Sequence, residues 1–274
     1  MPLVKYLLVE DDNMLKSFLF VPAKEKTLMK IPTLSADGII IDLEDSIEEI
    51  DKENALNRIC LFLKENSRLK NIFVRLNSMN YNNEVEKLRE FKEIGFVLPK
   101  FECSDSYSSC ESIWKEHTVM ALIETPLGIL NSRDIAACSW VDYLAFGAED
   151  YSASTNMNND NKFLYYQKSH IVTCAKAFKK KVIDTPCFSI TDESIFRDDV
   201  NNAVAMGFDG KMLIHPKHIE YINEAFSVAD LTYIKDIVSQ YDKQNQAVAV
   251  IDGKIYEKMH IVRMKKIIKE NGGN

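Results

Sequence analysis

The residues with the most chemistry in this chain are carboxylates that close short apolar runs. Glu124 follows the run 118–123, Asp150 lies four residues beyond the run 143–146, and Asp42-Leu43-Glu44-Asp45 ends the run starting at Gly38. Arg75 and Asn77 close another such run, and Pro99-Lys100, Asp184-Thr185, Lys211, His215 and Pro216 close others. Converging carboxylates in a confined space repel one another unless a cation sits among them. Oxygen ligands without a His or Cys pair favour a hard cation, Mg²⁺ or Mn²⁺, over Zn²⁺. Two carboxylates completed by substrate and water oxygens is the usual Mg²⁺ arrangement, and Glu124 with Asp150 fits it. Either carboxylate equally suits capping the helix that follows it. Arg75 suits a clamp for a carboxylate or enolate, and also a structural ion pair.

Such groups need a scaffold that brings strand ends together. Eight β-branched or apolar runs recur at 18–22, 38–43, 72–76, 96–99, 118–123, 143–146, 181–183 and 208–214. Successive runs lie roughly 20 to 35 residues apart, about one βα unit each. Several are apolar without alternation, as in strands buried on both faces. The expected fold is therefore α/β, a (β/α)8 TIM barrel with a C-terminal helical extension, whose chemistry sits at the C-terminal strand ends. Helical patterns at 84–94 and 198–206 are each followed by a glycine, Gly95 or Gly207, that reads as a helix stop. The polar, Asn-rich stretch 152–162 reads as an active-site loop, or else a disordered one. After the eighth run come helical segments 219–226 and 231–241, an extended 247–251, an Asp252-Gly253 turn and a helix from about Met259. Residues 1–226 are expected to form the catalytic barrel and 227–274 an extension that serves as a lid.

A chain of 274 residues, 46% hydrophobic, suits one large domain of this kind. Its apolar runs are strand-length, too short for a membrane span. The segment 1–10 is broken by Lys5 and makes a poor signal peptide. A formal charge of −7 argues against nucleic acid as the main partner. The basic clusters at 176–181 and 265–269 read as solvated helix ends. Six cysteines with no CxxC pattern read as reduced thiols of a cytoplasmic protein.

Seven strings stand in order along the chain. They are Phe18-Leu-Phe-Val-Pro22, Ile41-Asp-Leu-Glu-Asp45, Val74-Arg-Leu-Asn77, Leu98-Pro-Lys100, Ile123-Glu-Thr-Pro-Leu-Gly128, Phe146-Gly-Ala-Glu-Asp150 and Gly207-Phe-Asp-Gly-Lys-Met-Leu-Ile-His-Pro216. Together, from about Ser17 to His260, they resemble the citrate lyase β-subunit-like branch of the HpcH/HpaI aldolase superfamily. The resemblance implies Mg²⁺ held by Glu124 and Asp150, with Arg75 on the keto-acid portion and the Gly147 and Ala148 amides on its carboxylate. It places Glu44 and Asp45 beside the site as an acidic pair, one tuned for proton transfer. Lys100 joins Arg75, Glu124, Gly147 and Ala148 as a substrate-binding candidate. Family members act on β-hydroxyacyl thioesters of CoA or an acyl carrier, of the citryl, malyl or citramalyl kind. Many are homotrimers whose C-terminal segment covers a neighbour's site.

This chain departs from that pattern where a thioester carrier would lie. The turn usually reading Pro-Gly is Pro22-Ala23-Lys24-Glu25-Lys26, and a usual Arg-Ser is Lys168-Ser169. A usual Asp-Gly-Val is Asp184-Thr185-Pro186, and Glu257 stands where lid-bearing relatives carry a catalytic Asp. His215 reads as a structural strand-end residue. The activity implied is a carbon–carbon lyase that yields a keto acid and an acyl thioester. The alternatives are the β subunit of a multi-subunit citrate lyase using an acyl carrier protein, an aldolase on a free keto acid, and a non-catalytic binding barrel.

Overall fold

The computed structural model of this protein describes residues 14–78, 81–227 and 231–270. Eight parallel strands close into a barrel in chain order: β1 (Ser17–Pro22), β2 (Gly38–Asp42), β3 (Ile72–Arg75), β4 (Ile94–Leu98), β5 (Thr118–Ile123), β6 (Tyr143–Phe146), β7 (Lys181–Asp184) and β8 (Gly210–Leu213). β8 pairs back onto β1, Phe18 opposite Met212. All eight runs expected from the sequence are strands. Every residue of β2, β3 and β4 is buried, as strands filled from inside and covered by helices outside must be.

The barrel interior is a packed plug. Phe18, Ile40, Phe73, Val97, Met120, Leu122, Ala145, Ile183 and Met212 form one buried cluster. The Phe18 and Phe73 rings meet edge to face with centroids 5.5 Å apart. Gly95 belongs to this packing. It was expected to stop a helix over 84–94, but the helix is Tyr81–Leu88 and Gly95 lies inside β4. A Cβ there would sit 2.4 Å from Phe73 Cδ1, so the glycine makes room for the ring. Gly207, with φ +90°, does end the helix Glu193–Met206.

The stretch 152–162 is also more ordered than its composition suggested. The helix Ala148–Thr155 covers its first part and ends on Asn156 at φ 55°. Asp160 then caps the helix Asn161–Ala177, its side chain accepting from the Lys162 amide. The loop between the two helices spans 156–160.

Two lysines are buried outside the plug. Lys211 stands next to the inward-facing Met212 on β8, so strand alternation turns it outward. Its Nζ lies 2.6 Å from Asp184 on β7 and 2.7 Å from Asp199 on the helix Glu193–Met206. Lys168, from the helix Asn161–Ala177, reaches Asp184 at 2.9 Å and donates to Asn161 Oδ1 at 2.7 Å. Lys211 and Asp184 are therefore not mouth groups, as the strand-end reading had them. Lys168, 1% exposed, is committed to the same cluster and is unavailable to a phosphate.

A second compact unit begins at Glu224. It holds the helices Leu231–Gln244 and Lys258–Glu270 and an antiparallel hairpin, β9 (Val248–Ile251) with β10 (Lys254–Glu257). Asp252 (φ 50°) and Gly253 (φ 73°) form its turn, both in the left-handed region that a tight two-residue hairpin needs. Ile234, Ile237, Ala249, Ile251, Tyr256 and Ile267 are among its buried core. Among the described residues no helix is long and apolar enough to cross a membrane, and none of the six cysteines is in a disulfide.

Removing one charge from the buried cluster strands the others. Lys211→Met is expected to cost about 3–5 kcal/mol of unfolding free energy, the usual result of leaving a buried ion unpaired. Urea unfolding reads this directly; a loss within the ordinary range for a surface change, about 0.5 kcal/mol, would contradict it.

Candidate active site

The barrel positions its mouth residues by simple alternation. Side chains two apart on a strand share a face, so the next inward residue after each plug residue looks into the mouth. Ile40 leads to Asp42, Phe73 to Arg75, Leu122 to Glu124, Ala145 to Gly147 and Ile183 to Thr185. Each of these five second residues lines one cavity of about 430 Å³, together with Phe20, Asp45, Ala148, Glu149 and Asp150. Asp150 arrives by another route, in the first turn of the helix Ala148–Thr155. A helix N-terminus favours a carboxylate there.

Arg75 is the hub. It is 8% exposed and sits opposite Asp42 in the β2–β3 register. Its Nε donates to Asp42 Oδ1 at 2.7 Å, and its Nη1 lies 2.9 Å from Asp45 and 3.4 Å from Glu44. The guanidinium carbon lies 5.1 Å from the centre of the Phe20 ring. Both sequence readings of Arg75 thus meet in one residue: it makes structural ion pairs and it faces the cavity. Burial alone would lower the pKa of Arg75, but the hydrogen bond and charge of Asp42, with Asp45 and Glu44, hold it well above its ordinary value. Burial opposes ionisation of Asp42 too, yet Arg75 and the Glu44 amide hold its carboxyl below the usual range.

Asp42 was not among the expected site residues, although the same alternation that exposes Arg75 points to it. It accepts from the Glu44 and Ser46 amides at 2.9 and 3.0 Å, which shapes the loop after β2. Lys52 completes that loop by donating to the Leu43 and Glu44 carbonyls. Glu84 was missed as well. It is buried and accepts from the Asn77 amide at 2.7 Å, and burial pushes its pKa up to about 7.

Lys100 joins the two acidic groups. Its backbone is left-handed, φ 48°, a conformation that costs energy outside glycine and is held by surrounding contacts. In this pose its amide donates to Glu124 Oε1 at 2.8 Å and its Nζ to Glu44 Oε1 at 3.0 Å. Glu124 Oε2 points the other way, 2.5 Å from where a Cβ on Gly147 would stand. A bare glycine is what lets this carboxylate fit. Burial, then Asp150 and Glu44, push Glu124 up to about 8. Burial likewise raises Glu44.

The amides expected to hold a substrate carboxylate are engaged within the protein. The Gly147 amide donates to Ile123 O at 3.0 Å, and the Ala148 amide donates to Thr185 Oγ1 at 3.2 Å. His215 accepts from the Lys217 amide, a strand-end role. Glu257 closes β10 in the second unit with an exposed side chain.

Among the described residues six carboxylates (Asp42, Glu44, Asp45, Glu124, Glu149, Asp150) thus share this mouth with two cations, Arg75 and Lys100. The excess of negative charge, the oxygen-only donors and the glycine cradle beneath Glu124 fit a hard divalent cation. Among the described residues no cluster of three or more His, Cys, Asp or Glu side chains is arranged around one metal position. Ligation here would rest on two carboxylates and on oxygens from outside the chain.

The family model for HpcH/HpaI aldolase/citrate lyase matches residues 16–216. A (3S)-malyl-CoA thioesterase of Cereibacter sphaeroides is 29% identical over 265 residues, covering 92% of this chain and 93% of the relative. The mitochondrial citramalyl-CoA lyase of Rattus norvegicus is 28% identical, covering 84% and 77%. The fold of CitE from Mycobacterium tuberculosis, in a crystal structure with magnesium, acetoacetate and coenzyme A, superposes with a TM-score of 0.80. The two chains are 22% identical, with 95% of this chain and 99% of that one covered. This chain belongs to the HpcH/HpaI aldolase/citrate lyase family and, with it, to the carbon–carbon lyases.

The raised Glu124 has a consequence for stability. Between its ordinary value of 4.5 and about 8 the folded state binds more protons than the unfolded one, so stability falls as pH rises through that window. In EDTA, wild-type stability is expected to decline from pH 5 to pH 8, and Glu124→Gln to flatten the slope. An unchanged slope in the variant would contradict the assignment.

Proposed function

We propose that this protein is a Mg²⁺-dependent lyase that cleaves a β-hydroxyacyl thioester, citryl-, malyl- or citramalyl-like, into a 2-oxo acid and a shorter acyl thioester. The observation that supports it most is Glu124 and Asp150 lining one cavity with Arg75. The relatives' names agree on the substrate class, a CoA thioester of a hydroxy acid, and differ on the reaction: the citramalyl-CoA lyase matches carbon–carbon cleavage, whereas the malyl-CoA thioesterase is named for hydrolysis.

Glu124 and Asp150 are the residues that would hold the metal, with Mn²⁺ a chemically similar substitute. When bound, Mg²⁺ would lower the pKa of the substrate hydroxyl and offset the surrounding carboxylates. The Lys100 amide fixes Glu124 in place, and Lys100 itself borders the bound acid. Two guanidinium nitrogens of Arg75 are committed to Asp42, Glu44 and Asp45, while Nη2 has no carboxylate partner among the described residues. In this reading Nη2 meets the negative charge that develops on the substrate. The hydroxyl proton passes to the Glu44/Asp45 pair as the carbonyl of the 2-oxo acid forms. The electrons of the broken carbon–carbon bond go to the thioester enolate, whose carbon then takes a proton from a carboxylic acid. Glu44, raised by burial, is the member of the pair biased toward the protonated form. Glu257 is a second candidate for the acid.

Lys24 and Lys26, exposed just beyond the cavity-lining Pro22, would meet phosphates of the carrier, a group that CoA and a phosphopantetheine arm both have. A multi-subunit citrate lyase β subunit with an acyl carrier protein is the second reading. A cytoplasmic homotrimer is the expected assembly.

A substrate panel tests the proposal: malyl-, citramalyl- and citryl-CoA, and an acyl-carrier thioester, with Mg²⁺ or with EDTA. The expected result is release of glyoxylate, pyruvate or oxaloacetate together with an acyl thioester, abolished by EDTA. Release of free thiol without a 2-oxo acid, or cleavage indifferent to EDTA, would overturn it.

A further inference from the structure

Thr185 is a polar residue of the mouth that the reading above does not use. It follows β7, is 5% exposed and lines the cavity. Its Oγ1 accepts the Ala148 amide at 3.2 Å. A threonine hydroxyl can accept and donate at once. Among the described residues no acceptor receives the Thr185 hydroxyl proton.

Its position is fixed from three sides. Asp184 before it is locked by Lys168 and Lys211. Pro186 after it has a restricted φ. Its own β-branch limits χ1. With the Ala148 amide donating to the oxygen, the O–H is left to donate to an acceptor in the cavity that Thr185 lines. The arrangement engages the amide and leaves the hydroxyl as the donor at this part of the cavity wall.

We infer that Thr185 is a substrate-binding residue whose hydroxyl donates to a carboxylate oxygen of the 2-oxo acid, in place of a direct contact from the Ala148 amide. This rests on the 2-oxo acid reading of the site. It also accounts for a structure in which both expected amides are engaged while the cavity still offers a donor. A carboxylate acceptor makes the bond charge-assisted, so its loss is large enough to measure.

Calorimetric titration of oxaloacetate and of pyruvate into the Mg²⁺-loaded protein tests the inference. Thr185→Val, nearly the same shape without the hydroxyl, is expected to weaken binding about tenfold, as loss of one hydrogen bond to a charged group does. Thr185→Ser is expected to restore it. In the condensation direction, KM for the oxo acid is expected to rise while kcat at saturation stays close to wild type. Melting temperatures within about 4 °C of wild type would show that the valine variant is folded. Binding by Thr185→Val equal to or tighter than wild type, meaning the released amide meets the ligand itself, overturns the inference alone. So does failure of the serine variant to rescue. Absence of any 2-oxo acid binding by the wild type overturns this inference together with the oxo-acid assignment. Cleavage of hydroxyacyl thioesters by a wild type whose Thr185→Val variant binds normally leaves the lyase reading standing.

Discussion

Like charges crowded at the end of a barrel dominate this molecule. Six carboxylates and two cations share the mouth, and much of the local structure keeps them apart or paired. Arg75 draws Asp42, Glu44 and Asp45 to one side. Lys100 adopts a left-handed backbone to hold Glu124 with its amide and Glu44 with its ammonium. Glu124 still carries a strongly raised pKa, which marks where compensation within the chain stops. A divalent cation facing Glu124 and Asp150 would balance what the protein leaves unbalanced.

The same economy of charge appears behind the site, with the opposite outcome. Lys168 and Lys211 meet Asp184 and Asp199 in a buried cluster of two cations and two anions. That cluster joins β7, β8 and two helices, and it is matched internally, so it needs nothing from outside. It also holds Asp184, the neighbour of the cavity-lining Thr185, in place. The contrast between a balanced cluster and an unbalanced one separates scaffold from site.

The strands were legible because a barrel strand is buried on both faces and writes a short apolar run, and all eight appear. Arg75, Glu124 and Asp150 were legible as polar residues at the ends of such runs. Asp42 and Thr185 were seen at strand ends but not singled out, because their parity with Ile40 and Ile183 has meaning only once the plug is known. Lys211 and Asp184 were placed in the mouth for the same reason: one residue of register sends a side chain to the other face. Gly95 misled because a glycine that admits a neighbouring ring looks, in sequence, like one that stops a helix. The helix Ala148–Thr155 was partly hidden by its polar surface. Glu257, which closes β10 in the second unit, was singled out by the resemblance alone.

The proposed chemistry requires the acidic mouth to be a two-carboxylate cation site. Electron paramagnetic resonance of Mn²⁺ titrated into the protein tests it most directly, since bound and aqueous Mn²⁺ give distinct signals. One bound ion per chain is expected, displaced by excess Mg²⁺ and lost in Glu124→Gln and in Asp150→Asn. Binding that survives both substitutions unchanged would contradict it.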